Sequence, residues 1–245
     1  MNAAFLPVGD TAVSVQVGDE ISLAVSRRVY ALKQCLEDNP VEGIAETVPT
    51  YRALMINYRP DVIRYGALLE ACKKRFENLD LDYSFSLSKE EICEIPVLYG
   101  GEFGVDLDEV AVYHKKTPQE IIDIHTAHDN FNYMMGFTPG MGYLGSDNGL
   151  TIPRRQSPRL KVEGGAVIIW ANQSIVFPIT APTGWNVIGK TPVRIFDMRE
   201  ENPFLFKAGM WVRFRSVDQA GFDKIAEQVE AGVYRCRFEN REVRP

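Results

Sequence analysis

The sequence predicts an α+β protein, in which a small N-terminal sandwich of helices on a sheet is followed by a C-terminal β-barrel. Helical and strand-like periodicities alternate over residues 3–87, which is typical of two helices packed on one sheet. From Tyr133 to Arg215, short β-rich runs alternate with Gly and Pro clusters and no helical periodicity is found, as in a closed barrel. The polar segment Ser88–Glu91 separates the two patterns, so we expect domains at residues 1–88 and 89–245.

Four stretches of the N-terminal region have the composition of β-strands. Apolar residues alternate over residues 3–8 and 13–17 with turn-forming residues between them, which predicts a hairpin. Residues 44–57 are rich in β-branched and aromatic side chains but contain Pro49, which indicates two short strands or one bulged strand. Residues 83–87 predict a further strand.

Two helices are expected between these strands. Apolar residues recur at spacings of three and four from Ile21 to Leu36, and this helix ends before Asn39-Pro40. A second helix follows Pro60, with Asp61 as its N-cap. Its predicted inward face consists of Val62, Tyr65, Leu69, Cys72 and Phe76.

The C-terminal region is predicted to contain three helices among short strands. One helix covers residues 106–114, a second begins with a capping box formed by Thr117 and Glu120, and a third covers residues 218–231. The charged tail from Arg235 is expected to be loose. The predicted strands are Ile92–Leu98, Ala166–Trp170, Ser174–Ile179, Pro192–Phe196 and Met210–Phe214.

The composition excludes several classes of protein. Hydrophobic residues make up 45% of the chain and charged residues 24%, as in ordinary soluble globular proteins. The net charge of −6 has the wrong sign for a typical nucleic-acid-binding domain. No apolar run approaches the roughly 20 residues that a membrane helix needs, and residues 1–10 lack a signal-peptide pattern. The four cysteines form no C-x-x-C pair, which fits a reducing cytoplasm. Together, these observations predict a cytoplasmic protein without nucleic-acid or membrane partners.

One segment matches the phosphate-loop pattern letter for letter, but its surroundings argue against nucleotide binding. Gly184 to Thr191 reads G-x-x-x-x-G-K-[ST], and such a loop runs straight into a helix whose N-terminal amides hold the phosphate. Here the strand-like run Pro192–Phe196 follows, and the bulky Trp185 lies inside the loop. We therefore expect that Gly184–Thr191 does not bind ATP.

The three histidines all lie between His114 and His128. His125 and His128 are three residues apart on a predicted helix and Asp129 follows, so a metal site is one interpretation and a solvated helix end is the other. A catalytic metal usually needs three protein ligands with fixed neighbours, and the sequence offers no convincing third ligand. We predict no metal here, and His125 remains a candidate general base.

A basic loop extends from Pro153 to Lys161. It concentrates four cations in an otherwise acidic protein, and two prolines stiffen it. The guanidinium fork of arginine suits carboxylates and phosphates. The loop therefore predicts either an anion site, formed by Arg154 or Arg159, or a surface for an acidic partner. Within the first interpretation Arg159 is slightly preferred, because Pro158 fixes its approach.

A second loop, from Gly136 to Gly145, is rich in glycine and proline around two aromatic residues. Glycine at this density either lets the backbone approach a ligand closely or marks a turn of the barrel. The sequence contains no G-x-S-x-G elbow, no H-E-x-x-H motif and no arrangement of a Ser-His-Asp triad that its order supports. The chain thus offers no complete catalytic set of its own.

These loops belong to a longer series of motifs, supplemented by Val48–Arg52 and Tyr99–Leu107 nearer the N-terminus. The series reads Gly136-Phe137-x-Pro139-Gly140-x-x-Tyr143-Leu144, Pro153-Arg154, Pro158-Arg159, Gly164-Gly165-x-Val167 and Gly184-Trp185-x-x-Ile188-Gly189-x-Thr191-Pro192. In this order and spacing it resembles the carboxyltransferase-like family of 5-oxoprolinase subunits, KipI-type kinase inhibitors and allophanate hydrolase subunit 1. The resemblance covers about residues 5 to 215.

The resemblance implies a cyclophilin-like form of the β-barrel and a KipA/PxpC-type partner subunit, with or without a PxpA-type subunit. It implies a subunit of an ATP-dependent 5-oxoprolinase, in which the assembled complex uses ATP to open 5-oxoproline, a small cyclic amide, to glutamate. His125 would then be the proton carrier. The implied substrate-binding residues are Gly136, Phe137, Pro139, Gly140, Tyr143, Arg154, Arg159, Gln173, Gly184 and Trp185.

Two other functions are compatible with the same family. One is a KipI-like inhibitor whose barrel face binds a sensor histidine kinase, and the other is a component of a urea carboxylase and allophanate hydrolase pathway. The sequence differs from the family pattern at Met141, Glu163, Trp170 and Thr183, in segments expected to shape the pocket. The three functions require different partners, so the neighbouring genes would separate them.

Overall fold

The computed structural model describes residues 3–79 and 91–240. The chain forms two compact units, Met1–Lys89 and Glu90–Pro245, and each has its own hydrophobic core. The predicted domain boundary at residues 88–89 and the predicted strand at residues 83–87 lie outside the described residues.

The N-terminal unit is built on an antiparallel sheet. Its strands are β1 (Ala4–Val8), β2 (Ala12–Gln16), β3 (Ile44–Pro49) and β4 (Ala53–Tyr58), in the order β1-β2-β4-β3. The predicted hairpin of β1 and β2 is confirmed. Because β3 ends at Pro49 and a short turn leads into β4, the stretch of residues 44–57 forms two strands.

Helices α1 (Leu23–Asp38) and α2 (Tyr65–Glu77) pack against this sheet. Every second residue of β2 and β4 is fully buried, as expected for a sheet with one covered face. The core between helices and sheet consists mainly of Val13, Val15, Val29, Leu32, Leu54, Ile56, Leu68, Cys72 and Phe76.

The two helices begin in different ways. Ser22 caps α1 by accepting a hydrogen bond from the Val25 N–H at 3.3 Å. The prediction of Asp61 as the N-cap of α2 is wrong, because Arg64 occupies that position. Asp61 instead accepts a hydrogen bond from Arg59 at 3.0 Å.

In the described part of the C-terminal unit, seven strands close into a barrel, which confirms the predicted fold class. Their order is β12-β9-β10-β7-β6-β13-β5, and β5 pairs with β12 to close the ring. Strands β8 and β11 form a separate ribbon, and β14 pairs with β5. The bounds are β5 (Glu91–Tyr99), β6 (Asn130–Met135), β7 (Gly142–Gly145), β8 (Arg159–Val162), β9 (Ala166–Trp170), β10 (Gln173–Val176), β11 (Ala181–Thr183), β12 (Asn186–Lys190), β13 (Trp211–Ser216) and β14 (Phe238–Asn240).

The long strand β5 makes the closure possible. Its residues 92–97 run parallel to β13, while Leu98 and Tyr99 pair with Lys190 and Gly189 of β12. A Cβ atom at position 189 would lie 2.8 Å from the Leu98 carbonyl oxygen. Glycine therefore permits the close approach of the two strands that seals the barrel.

Helices α3 (Leu107–His114) and α4 (Pro118–Ala127) precede β6, and α5 (Gln219–Glu230) follows β13. The predicted capping box is confirmed, because Thr117 Oγ1 accepts from the Glu120 N–H at 3.2 Å and Glu120 Oε2 accepts from the Thr117 N–H at 2.7 Å. Leu107, Val110 and Ile121 add to the barrel core. No helix in the described residues is long and apolar enough to cross a membrane.

The side chains of the barrel strands alternate between an inner core and an outer face. In β9, Val167 and Ile169 join the inner core, whereas Ile168 and Trp170 lie in a separate outer cluster. The ribbon of β8 and β11 packs on this outer cluster through Val162. Further members of the outer cluster are Met141, Tyr143, Ile175, Phe177, Trp185 and Val187.

Two expectations for the C-terminal unit are wrong. Residues 192–196 form a loop with a single bridge between Phe196 and Phe204, and the tail expected to be loose forms β14 as far as residue 240. The sequence does not predict strands β6, β7, β8, β11 and β12. They are three to six residues long and too short for a period to be read from sequence.

Candidate functional site

A single buried carboxylate anchors the basic loop. Asp106 is fully buried and accepts hydrogen bonds from Arg155 Nη1 at 2.5 Å and from Arg159 Nε and Nη2 at 3.1 and 2.5 Å. The contact with Arg159 is a two-point fork. The hydrogen bond to Asp106 raises the pKa of Arg159, because it stabilises the charged form. Asp106 therefore holds two of the loop's cations in fixed positions.

The backbone around Asp106 is joined to strand β12. The Val187 N–H donates to Asp106 Oδ2 at 2.8 Å, and the Asp106 N–H donates to the Val187 carbonyl at 2.9 Å. The turn before it requires glycine at Gly104, where a Cβ atom would lie 2.2 Å from the Ile188 carbonyl oxygen. This glycine-rich turn, part of the motif Tyr99–Leu107, thus places Asp106 against the barrel.

One cation of the basic loop meets aromatic side chains of the outer cluster. The Arg154 guanidinium lies over Trp170, 4.5 Å from the ring centroid. The Trp170 and Trp185 centroids are 5.3 Å apart, and those of Trp185 and Tyr143 are 6.3 Å apart. Trp185 is buried, Trp170 and Tyr143 are half-buried, and Arg154 is exposed. We call these four residues the Arg154 cluster, and three of them are sequence-predicted site residues.

Gln173 lies on the same face of the barrel. It is paired directly with Trp170 in the ladder of β9 and β10, and residues opposite each other in such a ladder point to the same side. Its side chain is almost fully buried, and Nε2 has no hydrogen-bond partner among the described residues. An unsatisfied buried donor costs free energy, so a ligand that accepts this hydrogen bond would gain from it.

The glycine-rich segment from Gly136 to Gly145, the glycine loop, borders the Arg154 cluster. A Cβ atom at Gly136 would lie 2.9 Å from the Tyr143 ring, and Gly140 has a positive φ of 81°, so both positions favour glycine. Phe137 at the tip is 91% exposed, and Pro139 is exposed as well. The four sequence-predicted residues between positions 136 and 140 therefore lie at the surface or directly behind it.

Gly184 connects the basic loop to Trp185. Its carbonyl accepts a hydrogen bond from the Arg155 backbone N–H at 2.8 Å. A Cβ atom at Gly184 would lie 3.9 Å from Pro158 and 4.0 Å from Arg154. The basic loop is therefore held from two sides, by Asp106 and by this turn.

Two cavities border these loops. One of about 350 Å³ is lined by residues 153–157 of the basic loop together with Glu109, Tyr113, Ile152 and Asn186. The other, of about 480 Å³, is lined by much of the glycine loop together with Phe204 and Lys207. Arg154 lines the first cavity, and Gly136, Pro139 and Gly140 line the second.

His125 lies in the protein core. It is fully buried, with Nδ1 2.7 Å from the Tyr99 hydroxyl and Nε2 2.9 Å from Ser174 Oγ, and its ring stacks on Phe214 at 4.5 Å. Burial lowers its pKa from 6.5 to about 3, because the imidazolium would lose its hydration. The interpretation of a solvated helix end is therefore wrong for His125, which is neutral at pH 7 and closed off from solvent.

The other two histidines are not close partners of His125 in a metal site. His128 is exposed and its Nδ1 lies 3.1 Å from the Ile124 carbonyl oxygen. Burial lowers the pKa of His114, and Lys116 adds to the effect. Within residues 3–79 and 91–240, no group of three His, Cys, Asp or Glu side chains is placed to hold a metal ion.

The segment that matches the phosphate-loop pattern is largely a strand. Residues 186–190 form β12 in the barrel wall, so their backbone amides do not surround an anion. Lys190 Nζ lies 2.5 Å from Glu163 Oε2 and 5.3 Å from the centroid of the Phe103 ring. That Gly184–Thr191 does not bind ATP stays a prediction.

Sequence reasoning misses two organising residues of the site. In the sequence, Asp106 is only a part of the motif Tyr99–Leu107, and Trp170 is only a departure from the family pattern. Asp106 lies 49 residues from Arg155 and 53 from Arg159, so no local pattern connects them. The available signal is an acidic residue directly after a glycine-rich turn, in a chain with an unexplained basic loop.

Comparison with known proteins places this architecture in a family. The family model described as "Carboxyltransferase domain, subdomain C and D" matches residues 3–206. The B subunit of 5-oxoprolinase from Bacillus subtilis is 36% identical over 230 residues, which cover 90% of this chain and 95% of the relative. The protein of the same name from Escherichia coli O157:H7 is 33% identical, covering 84% of this chain and 93% of the relative.

Solved structures agree with this placement. TTHA0988 is 31% identical with a TM-score of 0.71, and the match covers 84% of this chain but only 40% of that longer one. The Kluyveromyces lactis urea amidolyase, at 16% identity and a TM-score of 0.78, shares the fold over 97% of this chain and 16% of its own. Because the family model and the B-subunit relatives span most of its length, this chain belongs to the carboxyltransferase domain family, subdomains C and D.

Proposed function

We propose that the chain is the barrel subunit of a heteromeric, ATP-dependent 5-oxoprolinase that converts 5-oxoproline to glutamate. Three curated relatives are named as B subunits of 5-oxoprolinase, and the matches cover 93–95% of their lengths. A subunit acts with partners, for which we propose the KipA/PxpC-type chain and a PxpA-type chain. The chain then contributes part of a substrate site, and the partners contribute the rest.

The chemistry of this reaction defines what the site must hold. Resonance makes the lactam carbonyl of 5-oxoproline a poor electrophile, and phosphorylation of its oxygen by ATP in the assembled complex would create a leaving group. The substrate is a small flat ring with one carboxylate. Its site needs a cation for the carboxylate, hydrogen-bond donors near the amide and an apolar surface for the ring.

The Arg154 cluster meets these requirements, and it is the observation that carries the proposal. Within the described residues, no carboxylate is paired with Arg154, although the side chain is exposed and lines the cavity of about 350 Å³. Trp170 supports the guanidinium, which lies 4.5 Å from its ring centroid, and its half-exposed ring adds apolar surface beside the cation. The unsatisfied amide of Gln173 lies opposite Trp170 on the ladder, so cation, ring surface and donor occur on one face.

The two arginines considered for the substrate have different tasks in this proposal. Arg159 already uses its fork on Asp106, as does one nitrogen of Arg155. Arg155 and Arg159 therefore position the basic loop, and Arg154 binds the carboxylate. Arg154 therefore takes the place of Arg159, which the sequence slightly favours, as the residue proposed to bind the substrate carboxylate.

Proton transfer is assigned to other groups than His125. Both of its ring nitrogens have hydrogen-bond partners and it has no exposed surface. The Gly136 N–H is likewise bonded, to the Met141 carbonyl at 2.6 Å. The remaining donors and the proton carrier are proposed to come from the rest of the glycine loop and from the partner subunits.

Arg154→Lys in the reconstituted complex tests the proposal. Lysine keeps the charge but loses the planar fork and its stacking on Trp170, so we expect kcat/KM for 5-oxoproline to fall by at least about tenfold, or 1.4 kcal/mol. Lys161→Ala, a change to an exposed cation in β8, should leave the rate unchanged. Size-exclusion chromatography should show an intact complex for both variants.

Wild-type rates for Arg154→Lys in an intact complex would contradict the substrate site. If Arg154→Glu abolished assembly while Arg154→Lys preserved both assembly and rate, the basic loop would instead bind an acidic partner. The chain alone should show no ATP-dependent turnover of 5-oxoproline. Robust turnover by the single chain would contradict the subunit role.

A further inference from the structure

Strand β14 brings together two cysteines that are 143 positions apart in sequence, Cys93 and Cys236. Phe238 pairs directly with Cys93, and the Arg237 carbonyl accepts a hydrogen bond from the Glu94 N–H at 3.0 Å. Cys236 lies two residues before Phe238 and packs against the core cluster that contains Cys93, and its thiol shares a hydrogen bond with the thiol of Cys93. The barrel unit therefore contains an adjacent pair of reduced thiols.

The two thiols differ in their access to solvent. Cys93 is fully buried in the barrel core. Cys236 is half-buried and lines a groove of about 810 Å³ together with Tyr234, Arg235 and Phe238. A small solute in the groove can therefore reach Cys236, whereas Cys93 has no exposed surface.

The hydrogen bond between the thiols also makes them chemically unequal. It lowers the pKa of Cys236 and raises that of Cys93, because the Cys93 S–H donates to the Cys236 thiolate. Burial of Cys236 and the neighbouring Glu94 both oppose this thiolate, but the hydrogen bond from Cys93 has the larger effect on its pKa. The Glu94 carboxylate is itself paired with Arg215 at 2.8 Å. Cys236 is thus the nucleophile and Cys93 the proton-bearing neighbour.

We propose that Cys93 and Cys236 form a reversible disulfide when hydrogen peroxide reaches the groove. The Cys236 thiolate attacks the peroxide, so that an S–O bond forms, the O–O bond breaks and hydroxide leaves. The Cys93 sulfur then attacks the resulting sulfenic acid, the S–O bond breaks and water leaves with the Cys93 proton. Two thiols are oxidised by two electrons and one peroxide is reduced to two waters. An external dithiol reverses the step by exchange.

The disulfide would fasten one wall of the groove to the barrel. Cys236 belongs to the segment that leads into β14, and Cys93 lies within β5. Because the bond closes a long loop of chain, it restricts the unfolded state more than a short loop would. The oxidised protein should therefore unfold at a higher temperature than the reduced protein. This site is separate from the Arg154 cluster and does not depend on the proposed function.

Peroxide oxidation of the full chain tests the proposal. After treatment with hydrogen peroxide and blocking with N-ethylmaleimide, mass spectrometry of an unreduced digest should show Cys93 linked to Cys236, and dithiothreitol should remove the link. Cys35 is the matched control, since it is half-buried and burial raises its pKa. Cys236 should react at least about tenfold faster than Cys35.

Variants separate the two steps. In Cys93→Ser, which keeps a hydrogen-bond donor but lacks the second sulfur, sulfenic acid should accumulate at Cys236 and be trapped by dimedone, and in Cys236→Ser, Cys93 should stay reduced. The rise in unfolding temperature on oxidation should disappear in both. The proposal is overturned if the wild-type thiols stay reduced, if Cys236 links between two chains, or if Cys35 reacts as fast as Cys236. The wild-type digest decides even where a variant does not fold.

Discussion

Polar groups on the inner and outer faces of the barrel differ in whether the protein itself satisfies their hydrogen bonds. On the inner side, both ring nitrogens of His125 form hydrogen bonds, with Tyr99 and Ser174, and His125 has no exposed surface. On the outer side, Gln173 Nε2 lacks a hydrogen-bond partner in the described residues and Arg154 lies exposed over Trp170. Ser174 and Gln173 are neighbours on β10, so one step along a strand separates a closed network from an open site.

The same contrast recurs within the basic loop. Arg155 and Arg159 are bound to the buried carboxylate of Asp106, whereas their neighbour Arg154 is not. Polar groups that satisfy one another rigidify a fold, and polar groups left available beside apolar surface are typical of binding sites. Removing groups of the first kind should therefore affect stability, and removing groups of the second kind should affect activity.

The largest effect is expected for Asp106→Asn. The substitution removes the negative charge from a fully buried position, so that Arg159 loses its charged partner and Arg155 keeps only the exposed Glu109. Breaking a buried pair costs roughly 3–5 kcal/mol, and we expect about 3 kcal/mol because Arg159 is partly exposed. Urea denaturation of the chain measures this loss.

Glu109→Gln is the control for Asp106→Asn. Glu109 also pairs with Arg155, at 2.7 Å, but its side chain is 66% exposed. An exposed pair contributes little, so the variant should lose less than about 0.5 kcal/mol. Equal losses in the two variants would show that burial of Asp106 has no special importance.

The second largest effect concerns pH. The folded-state pKa of His125 is about 3, below the unfolded value of about 6.5, so the unfolded chain binds the extra proton first as the pH falls. The contribution of His125 to the free energy of unfolding is complete above pH 6.5 and declines between pH 6.5 and 3. By pH 5 the loss is about 2 kcal/mol relative to pH 7.5.

His125→Gln separates this proton from those of the carboxylates. Glutamine does not titrate, so its free energy of unfolding should fall less steeply between pH 7.5 and 5 than that of the wild type. Only the slope matters, because the substitution also disturbs the contacts with Tyr99 and Ser174. Parallel slopes would show that His125 is not held neutral by burial.

Much of the fold could be predicted because its signals are local. The 16-residue helix α1 and the capping box at Thr117 each follow from spacing within one segment. Strand β12 could not be predicted, because its five residues show no separate periodicity and overlap a misleading phosphate-loop pattern. The pairing of β14 depends on β5, which is more than 140 positions away in sequence.

The sequence predicts most of the residues that lie at the site, but not the role of each residue. Tyr143, Arg154, Gln173 and Trp185 were expected at the site and lie on one outer face. Which arginine is available depends on Asp106, and this long-range pairing is invisible in the order of residues. His125 is a reasonable candidate base by residue type, and only its burial, which the sequence does not reveal, excludes it as a base at the surface.

A small effect on stability is expected for Arg154→Ala. The side chain is exposed and its contact with Trp170 is a surface cation–π interaction, which contributes about 0.5–1 kcal/mol. Thermal or urea unfolding should therefore change little, although activity of the complex should fall as for Arg154→Lys. A loss as large as that of Asp106→Asn would place Arg154 among the structural residues and remove the contrast within the loop.

The smallest effect is expected for Lys190→Ala, measured as ATP affinity of the assembled complex. Lys190 lies in a barrel strand, pairs with Glu163 and contacts the Phe103 ring, so its ammonium group is already engaged by the protein's own surface. A phosphate-loop lysine would contact the nucleotide directly and be indispensable. We expect the affinity to stay within about threefold, or 0.6 kcal/mol, in a titration with ATP. A hundredfold loss would mean that β12 rearranges on assembly and that the pattern at Gly184–Thr191 is a nucleotide site after all.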